Sequence, residues 1–291
     1  MDFYKKTAIS TGAASEMGLF LASEKGQFIN GENIMIDGGR NAMGDGVKMK
    51  KRVAIITGAS VGIGRAVALQ MAKKGVKLVL LDMNMQTLKA LETELSEYNC
   101  ESICLTCDVS NEQSVKECVN KAVEKFGRID VLINNAGIWR TWEDFTQTST
   151  EKWNKFININ LMGVVYCTKA VLPKMCENGY GRIVNVASVA GVYGNANMVV
   201  YSATKGAVIA MTKALAKEVV DKGVLVNSVS PGTVSPSENM DIDYVQDSQM
   251  CYAGRTGSGR ENADLICFLA SEENGYVSGQ NIQIDGSRKK I

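Results

Sequence analysis

The sequence predicts an α/β fold in which a parallel sheet carries helices on both faces. From residue 52 onward, short β-branched runs alternate with longer stretches of helical periodicity, and this alternation is typical of parallel sheets. The first run, residues 52–57, passes through a glycine-rich turn directly into a helical pattern. Glycines and polar residues follow several later runs, at the strand ends where such sheets bind their ligands.

The composition indicates one large soluble domain with an appendage. Of the 291 residues, 45% are hydrophobic and 22% are charged, and 32 basic against 31 acidic residues leave a net charge of +1. This balance gives no electrostatic footprint for nucleic acid or an anionic membrane. The first residues contain no apolar signal segment, and no run reaches the ~18 apolar residues of a membrane helix. We therefore expect a cytoplasmic protein.

The chain contains no histidine. Ser-His-Asp and Cys-His catalysis and His-ligated metal sites are thereby excluded, so proton transfer must use Tyr, Lys, Cys or a carboxylate. Two of the eight cysteines, Cys104 and Cys107, have CxxC spacing, but they lie in a stretch that predicts a buried strand. A thioredoxin-like motif would begin a helix, and zinc would need two further thiolates. We expect no metal.

The glycine-rich turn after the first strand is the first candidate site. Gly58, Gly62 and Gly64 permit a tight turn and let a pyrophosphate approach the backbone, with Ser60 and Ile63 between them. The following helix would supply unpaired N–H groups and the positive end of its dipole. The sequence therefore predicts a dinucleotide-binding turn.

The next strand, residues 77–82, ends in an acidic residue. Asp82 lies eighteen positions after Gly64, where a carboxylate accepts hydrogen bonds from the adenosine ribose hydroxyls and repels a 2′-phosphate. Val61 and Met83 offer no cation for such a phosphate. We predict NAD(H) in preference to NADP(H); the alternative is that Asp82 caps the next helix.

Further elements alternate to the end of the chain. The pattern predicts helices over 85–98, 111–126, 155–176 and 201–221, and strands over 102–107, 130–137, 182–188 and 224–230. In a parallel sheet the Asn-Asn-Ala-Gly stretch at 134–137, Ser188 and Pro231-Gly232 would all lie near the carboxyl ends of strands.

The stretch from Ser188 to Lys205 carries the predicted chemistry. Tyr201 and Lys205 are four residues apart, which places them on one face of a helix. An adjacent ammonium stabilises the phenolate and lowers the tyrosine pKa, which suits Tyr201 for general acid/base work. Ser188 would hold the oxygen that gains or loses the proton. The alternative is an ordinary surface Tyr–Lys pair.

Together these motifs resemble the short-chain dehydrogenase/reductase family over residues 50–286. In chain order, the matching residues are the glycine-rich turn, Asp82, Asp108-Val109, 134–137, Asn160 in NINLMG, Ser188, Tyr201 with Lys205, and Pro231-Gly232. The resemblance implies a Rossmann-type, doubly wound, seven-stranded parallel sheet. It also implies an NAD(P) cofactor and hydride transfer between a secondary alcohol and a ketone.

The resemblance further implies roles for individual residues. Tyr201 would be the general acid/base, Lys205 would bind the nicotinamide ribose, Ser188 would hold the substrate oxygen, and Asn160 would support a water relay. The implied cofactor-binding set is Gly58, Ser60, Gly62, Ile63, Gly64, Asp82, Asp108, Val109, Asn135, Ala136, Gly137, Tyr201, Lys205, Pro231 and Gly232. Asp108 would meet the adenine and Asn135 the adenosine ribose. As alternatives, Asn160 is a structural helix residue and Asp108 a helix cap.

The chain departs from the family pattern at two places. Pro236 stands where the family usually has a threonine that bonds the nicotinamide carboxamide.

The second departure is an internal repeat. Residues 20–39 repeat residues 268–287 at a constant offset of 248, with eleven identities in twenty positions and no gap. We therefore divide the chain into an extension, 1–48, and a dehydrogenase domain, 49–291. The family's C-terminal segment packs between subunits, which implies a homotetramer and an interface arm; the alternative is a loosely packed duplication remnant.

The substrate prediction depends on apolar residues expected near the mouth of the site. They are Trp139, Trp142, Tyr193, Met198, Met240, Tyr244, Met250 and Tyr252. Such side chains line pockets for bulky apolar ligands, although each is also an ordinary packing residue. The chain is similar to bacterial NADH-linked hydroxysteroid dehydrogenases of the 20β type, which implies reduction of a steroid ketone such as cortisol. The alternatives are a 3-oxoacyl-thioester reductase, a polyol dehydrogenase, and a catalytically idle nucleotide-binding sensor.

Overall fold

The strands form one parallel sheet in the order β3-β2-β1-β4-β5-β6-β7. The computed structural model describes Lys25, Ile29 and residues 52–235 and 250–289. The strands are β1 Val53–Thr57, β2 Lys77–Asp82, β3 Ser102–Thr106, β4 Val131–Asn134, β5 Gly181–Val186, β6 Val224–Pro231 and β7 Asn281–Ile284. The predicted doubly wound, seven-stranded sheet is confirmed.

Helices cover both faces of the sheet. They are α1 Gly62–Lys73, α2 Met85–Ser96, α3 Glu112–Phe126, α4 Thr150–Ile157, α5 Gly163–Glu177, α6 Val189–Tyr193, α7 Val199–Val219 and α8 Gly259–Leu269. Side chains of α1, α2 and α8 form one apolar cluster with Ile56 and Leu80 of the sheet. Side chains of α3 and α5 form a second cluster with Ile55 and Val79. Because adjacent strand residues point to opposite faces, both faces of β1 and β2 are buried.

The strand order determines where the ligand-binding crevice of this sheet lies. Strand β1 pairs with β2 on one side and with β4 on the other, so the chain reverses its direction of travel across the sheet between these strands. Ligands of open α/β sheets bind in the crevice at this switch point, outside the carboxyl ends of the strands.

Three local features differ from the sequence predictions. The helix predicted from 155 begins at Thr150 and contains a π-helical turn, Asn158–Met162. Strand β5 ends at Val186, and Ser188 instead caps a short unpredicted helix, α6, by accepting a hydrogen bond from the Ala190 N–H. Pro236, Met240, Tyr244 and most of the extension lie outside the described residues.

The continuous helix Thr150–Glu177 is apolar and long enough to cross a membrane. Its apolar side chains Cys167, Val171 and Met175 belong to the second core cluster.

Candidate active site

The glycine-rich turn joins β1 to α1. A Cβ on Gly64 would lie 2.1 Å from the Gly58 carbonyl oxygen, and a Cβ on Gly58 would lie 2.9 Å from Ala136 Cα. These two glycines are therefore required by the packing of the turn against itself and against the end of β4. Gly62 has a φ of +57° and a Cβ there would meet no described atom within 4 Å. Gly62 thus borders open space.

The N-terminus of α1 has no side-chain cap among the described residues. By contrast, α2, α3 and α8 are capped by Asn84, Asn111 and Ser258. Uncapped N–H groups at the positive end of a helix form an anion site. Together with the space above Gly62, this end of α1 fits the diphosphate of a dinucleotide.

Asp82 lies at the end of β2 beside the turn. Its Oδ2 accepts hydrogen bonds from the Ser60 N–H at 3.2 Å and from the Ser60 hydroxyl at 2.7 Å. Its Oδ1 accepts from the Asn84 N–H at 3.1 Å. Because Asn84 caps α2, Asp82 is not the helix cap that the alternative required. Its carboxylate is partly exposed next to Val61 and Met83, which are 59% and 64% exposed.

The loop after β4 is fastened to the glycine-rich turn. The Asn135 side-chain amide donates to the carbonyls of Thr57 at 3.1 Å and Gly58 at 2.9 Å. The Thr57 hydroxyl accepts from the N–H groups of Asn135 and Ala136, each at 3.0 Å. Asn135 was predicted from its place in the motif, whereas Thr57 was missed because a hydroxyl at the end of a buried strand carries no distinguishing pattern.

Asp108 and Val109 follow β3. The Asp108 Oδ1 accepts from the Ser110 N–H at 2.9 Å and from its hydroxyl at 2.6 Å. Asn111 is the cap of α3, so the capping alternative for Asp108 is wrong. Val109 is buried against Gly163, where a Cβ would lie 2.9 Å from its Cγ2.

Asn160 lies in the π-helical turn and is completely buried. Its Oδ1 accepts from the Ile138 N–H at 2.8 Å, and its Nδ2 donates to the Ile138 carbonyl at 2.8 Å. Its Nδ2 also lies 3.3 Å from the Thr204 hydroxyl. π turns occur mostly at functional sites, and this one directs an amide onto the loop that leads to the site mouth.

Lys205 lies under the site, 4% exposed. Its Nζ donates to the Val186 carbonyl at the end of β5 at 2.7 Å, and burial lowers its pKa to about 8. A Cβ on Gly137 would lie 3.2 Å from Asn160 Oδ1 and 3.5 Å from Lys205 Nζ. The structure therefore brings Gly137, Asn160 and Lys205 together as predicted.

Burial raises the pKa of Tyr201, and an interaction with the Ser188 hydroxyl acts in the opposite direction. The predicted lowering of this pKa by Lys205 is wrong for the geometry described here. The Lys205 Nζ lies 5.9 Å from the centre of the tyrosine ring and is bound to Val186, so its charge does not offset the burial of the phenol.

Three of the predicted substrate residues are exposed aromatic side chains. Trp139, Trp142 and Tyr193 are 51%, 69% and 49% exposed. The Glu143 N–H donates to the Asn197 carbonyl at 3.0 Å, which joins the loop after β4 to the loop before α7. Met198 differs from the prediction, since it is buried and its sulfur accepts from the Asn195 amide.

Four further predicted residues lie at the end of β6 and in the segment before α8. The Gly232 N–H donates to the Ile284 carbonyl at 3.0 Å, next to Pro231 at the end of β6. Tyr252 is 77% exposed and Met250 is half-buried.

In the CxxC pair, Cys104 lies within β3 as predicted, and burial raises the pKa of its thiol to about 11.

Residues 52–246 match the family described as short chain dehydrogenase. The chain belongs to the short-chain dehydrogenase family. It is therefore an oxidoreductase that acts on CH–OH groups and binds a nicotinamide cofactor. The tyrosine, lysine, serine and asparagine that the family resemblance implied are all present at one carboxyl edge of the sheet.

Three members of the family show the range of related activities. The chain is 39% identical over 243 residues to a 3-oxoacyl-[acyl-carrier-protein] reductase of Thermotoga maritima, covering 82% of this chain and 98% of that protein. It is 37% identical over 243 residues to 2-dehydro-3-deoxy-L-rhamnonate dehydrogenase (NAD(+)) of a Sphingomonas species, covering 81% and 95%. The solved structure of NAD+-bound xylitol dehydrogenase superposes with a TM-score of 0.76 at 32% identity, covering 83% of this chain and all of that one.

Replacement of Lys205 with methionine tests whether burial lowers the pKa of the Lys205 ammonium group. The folded pKa of about 8 lies below the ordinary value of 10.5. Between these values the unfolded wild-type chain binds more protons than the folded chain, so wild-type stability rises with pH. Relative to the variant, we expect the wild type to gain on the order of 3 kcal/mol across that interval.

Urea unfolding of both proteins across the interval measures this gain. Lys213→Met, at an exposed position of α7, is the matched control and should show no such pH dependence. A difference between wild type and Lys205→Met that stays constant with pH would contradict the prediction.

Proposed function

We propose that the protein reversibly transfers hydride between NAD(H) and a secondary alcohol or ketone, with Tyr201 as the general acid/base. The buried Lys205, whose Nζ lies 5.9 Å from the centre of the Tyr201 ring and is held at the end of β5 by the Val186 carbonyl, is the observation that carries this proposal. When bound, the nicotinamide supplies or accepts the hydride at the substrate carbon. The protein's own task is then to hold the substrate oxygen and to move one proton to or from it.

Each residue of the set has one part in that task. The Tyr201 phenol is kept protonated by burial, so it can donate a proton to a ketone oxygen as that oxygen gains charge. Ser188 holds the same oxygen through its hydroxyl. Lys205 would bind the nicotinamide ribose and stabilise the phenolate that remains. Asn160 fixes the loop at Ile138 and would support the water relay that returns the proton.

We expect Tyr201→Phe to lower kcat by about 10²–10⁴-fold, the usual contribution of a positioned acid/base. NADH affinity should remain within about threefold, because the ring still fills its place and only the hydroxyl is lost. Steady-state turnover and fluorescence titration with NADH measure the two effects. Tyr166→Phe is the control, since Tyr166 lies on α5 and packs against the second core cluster, and this variant should retain activity. Turnover that survives in Tyr201→Phe would remove the assigned mechanism.

The proposed cofactor is NAD(H) in preference to NADP(H). Asp82 places a carboxylate oxygen at the turn and the exposed neighbours Val61 and Met83 carry no positive charge. A phosphate on the adenosine ribose would lie next to this carboxylate, and the two negative charges would repel each other.

Asp82→Ala removes the hydrogen-bond acceptor and the repulsion together. We expect the ratio of kcat/KM for NADH to that for NADPH to fall by about tenfold or more, because a hydrogen bond to a charged group contributes roughly 1.5–3 kcal/mol. Asp144→Ala, in the loop before α4, is the control and should leave the ratio unchanged. A preference that does not change in Asp82→Ala would show that another group sets it.

The proposed substrate is a ketone on a bulky apolar molecule. The first candidate is a 3-oxoacyl thioester. The similarity to the 3-oxoacyl-[acyl-carrier-protein] reductase of Thermotoga maritima supports the thioester. Exposed Trp139 and Trp142 in the loop after β4 and Tyr193 at the end of α6 support an apolar substrate over a polyol. A steroid ketone is the second candidate, because two exposed indole rings offer flat apolar surfaces that match a rigid ring system.

Loss of NADH absorbance with a panel of ketones separates these candidates. We expect oxidation of NADH with acetoacetyl-CoA, at a kcat/KM at least tenfold above that with xylulose. Faster turnover of cortisol than of acetoacetyl-CoA would favour the steroid, and faster turnover of xylulose would favour a polyol. NADH binding without turnover of any ketone would favour a nucleotide sensor, a role that does not need the tyrosine, lysine, serine and asparagine set.

A further inference from the structure

A buried hydroxyl joins the π-helical turn to the helix that carries the proposed acid/base. Thr204 is 2% exposed and lies on α7, after Tyr201 and directly before Lys205. Its Oγ1 donates a hydrogen bond to the Tyr201 carbonyl at 2.8 Å and accepts one from the Asn160 Nδ2 at 3.3 Å. One side chain therefore links the backbone at Tyr201 to the amide of Asn160.

The bond to Thr204 completes the hydrogen bonding of the Asn160 amide nitrogen. A side-chain amide nitrogen carries two hydrogens, and each needs an acceptor when the group is buried. In Asn160, one hydrogen bond goes to the Ile138 carbonyl and the other to the Thr204 hydroxyl. Its Oδ1 accepts from the Ile138 N–H. Among the described residues, Thr204 thus ties this amide to α7, whereas Ile138 ties it to the loop after β4.

We propose that Thr204 is a positioning residue that holds Asn160 in place relative to Tyr201 and Lys205. This inference rests on the proposed function, in which Asn160 supports the water relay that returns the proton. Without the hydroxyl, one N–H of the Asn160 amide loses its acceptor inside the protein, which is unfavourable. The amide then turns toward another acceptor, and its Oδ1 leaves the position beside Gly137 and Lys205. Proton return becomes slower, while the cofactor-binding residues are unchanged.

Helix α7 contains a second threonine with the same bonding pattern. Thr212 is completely buried, and its Oγ1 donates to the Val208 carbonyl at 2.8 Å and accepts from the Asn185 Nδ2 at 2.9 Å. Asn185 lies within β5, and its Oδ1 accepts from the Asn134 amide at 2.8 Å. Loss of either hydroxyl therefore removes equivalent bonds, but of the two threonines it is Thr204 that contacts the proposed catalytic set.

The test compares Thr204→Val, which keeps the branched shape and removes the hydroxyl, with Thr204→Ser, which keeps the hydroxyl. With the ketone of the panel that is reduced fastest, we expect Thr204→Val to lower kcat by about 3–10-fold, the effect of one lost hydrogen bond on a rate. Its NADH affinity, measured by fluorescence titration, should stay within about twofold, because the hydroxyl does not face the cofactor-binding turn. Thr204→Ser should restore kcat. Thr212→Val, the matched control, should lower the urea midpoint as much as Thr204→Val does, yet leave kcat unchanged.

A double-mutant cycle with Asn160→Ala separates this inference from the proposed function. We expect Asn160→Ala to lower kcat and Thr204→Val to cause no further loss in that background, because the hydroxyl acts through the amide. An equal loss in both backgrounds, or equal losses of kcat in Thr204→Val and Thr212→Val, overturns the positioning role and leaves the proposed function intact. Wild-type kcat in Asn160→Ala overturns the proposed relay together with this inference. Thr204→Ala is carried through the same cycle, so that the result does not depend on one variant.

Discussion

The site depends on one buried ammonium group. Among the described residues, the Lys205 Nζ donates a hydrogen bond to the Val186 carbonyl at the end of β5, at 2.7 Å. An unpaired charge is costly inside a protein, and here the cost appears as a pKa lowered to about 8. In the proposed mechanism this lysine binds the nicotinamide ribose and stabilises the phenolate that remains after proton transfer, whereas before that transfer burial keeps the Tyr201 pKa raised. The position of Tyr201, one helical turn before it, follows from the same helix.

Close backbone approach is the second constraint, and it explains where glycine is required. A Cβ on Gly191 would lie 2.6 Å from the Lys205 carbonyl carbon, and a Cβ on Gly64 would lie 2.1 Å from the Gly58 oxygen. The first contact lets α6 pack directly on α7, which brings Ser188 to Tyr201. The second lets α1 begin immediately at the turn. The geometry of the proposed catalytic and cofactor-binding residues is therefore set by contacts that any side chain at these two glycines would disrupt.

The sequence predicted the local structure wherever a residue pattern is compatible with only one backbone arrangement. The turn at Gly58 and the carboxylate at Asp82 were predicted because strand, turn, helix and strand end each restrict the residues they accept. The partner of Lys205 could not be predicted, since any residue supplies a backbone carbonyl and Val186 carries no mark. The direction of the Tyr201 pKa was also missed, because spacing reveals the neighbouring lysine but not the depth at which the phenol is buried.

Helix α8 shows the same limit in a different form. Its run of apolar residues, 265–270, indicates burial on all sides, yet no local pattern says what supplies the outer cover. The structure answers this in part, since Lys25 Nζ lies 4.0 Å from Asp264 Oδ1 on α8 and Ile29 packs against the core cluster to which α8 belongs. An ion pair at 4.0 Å with a half-exposed lysine contributes little stability. Neither residue carries a local pattern that would have predicted these contacts.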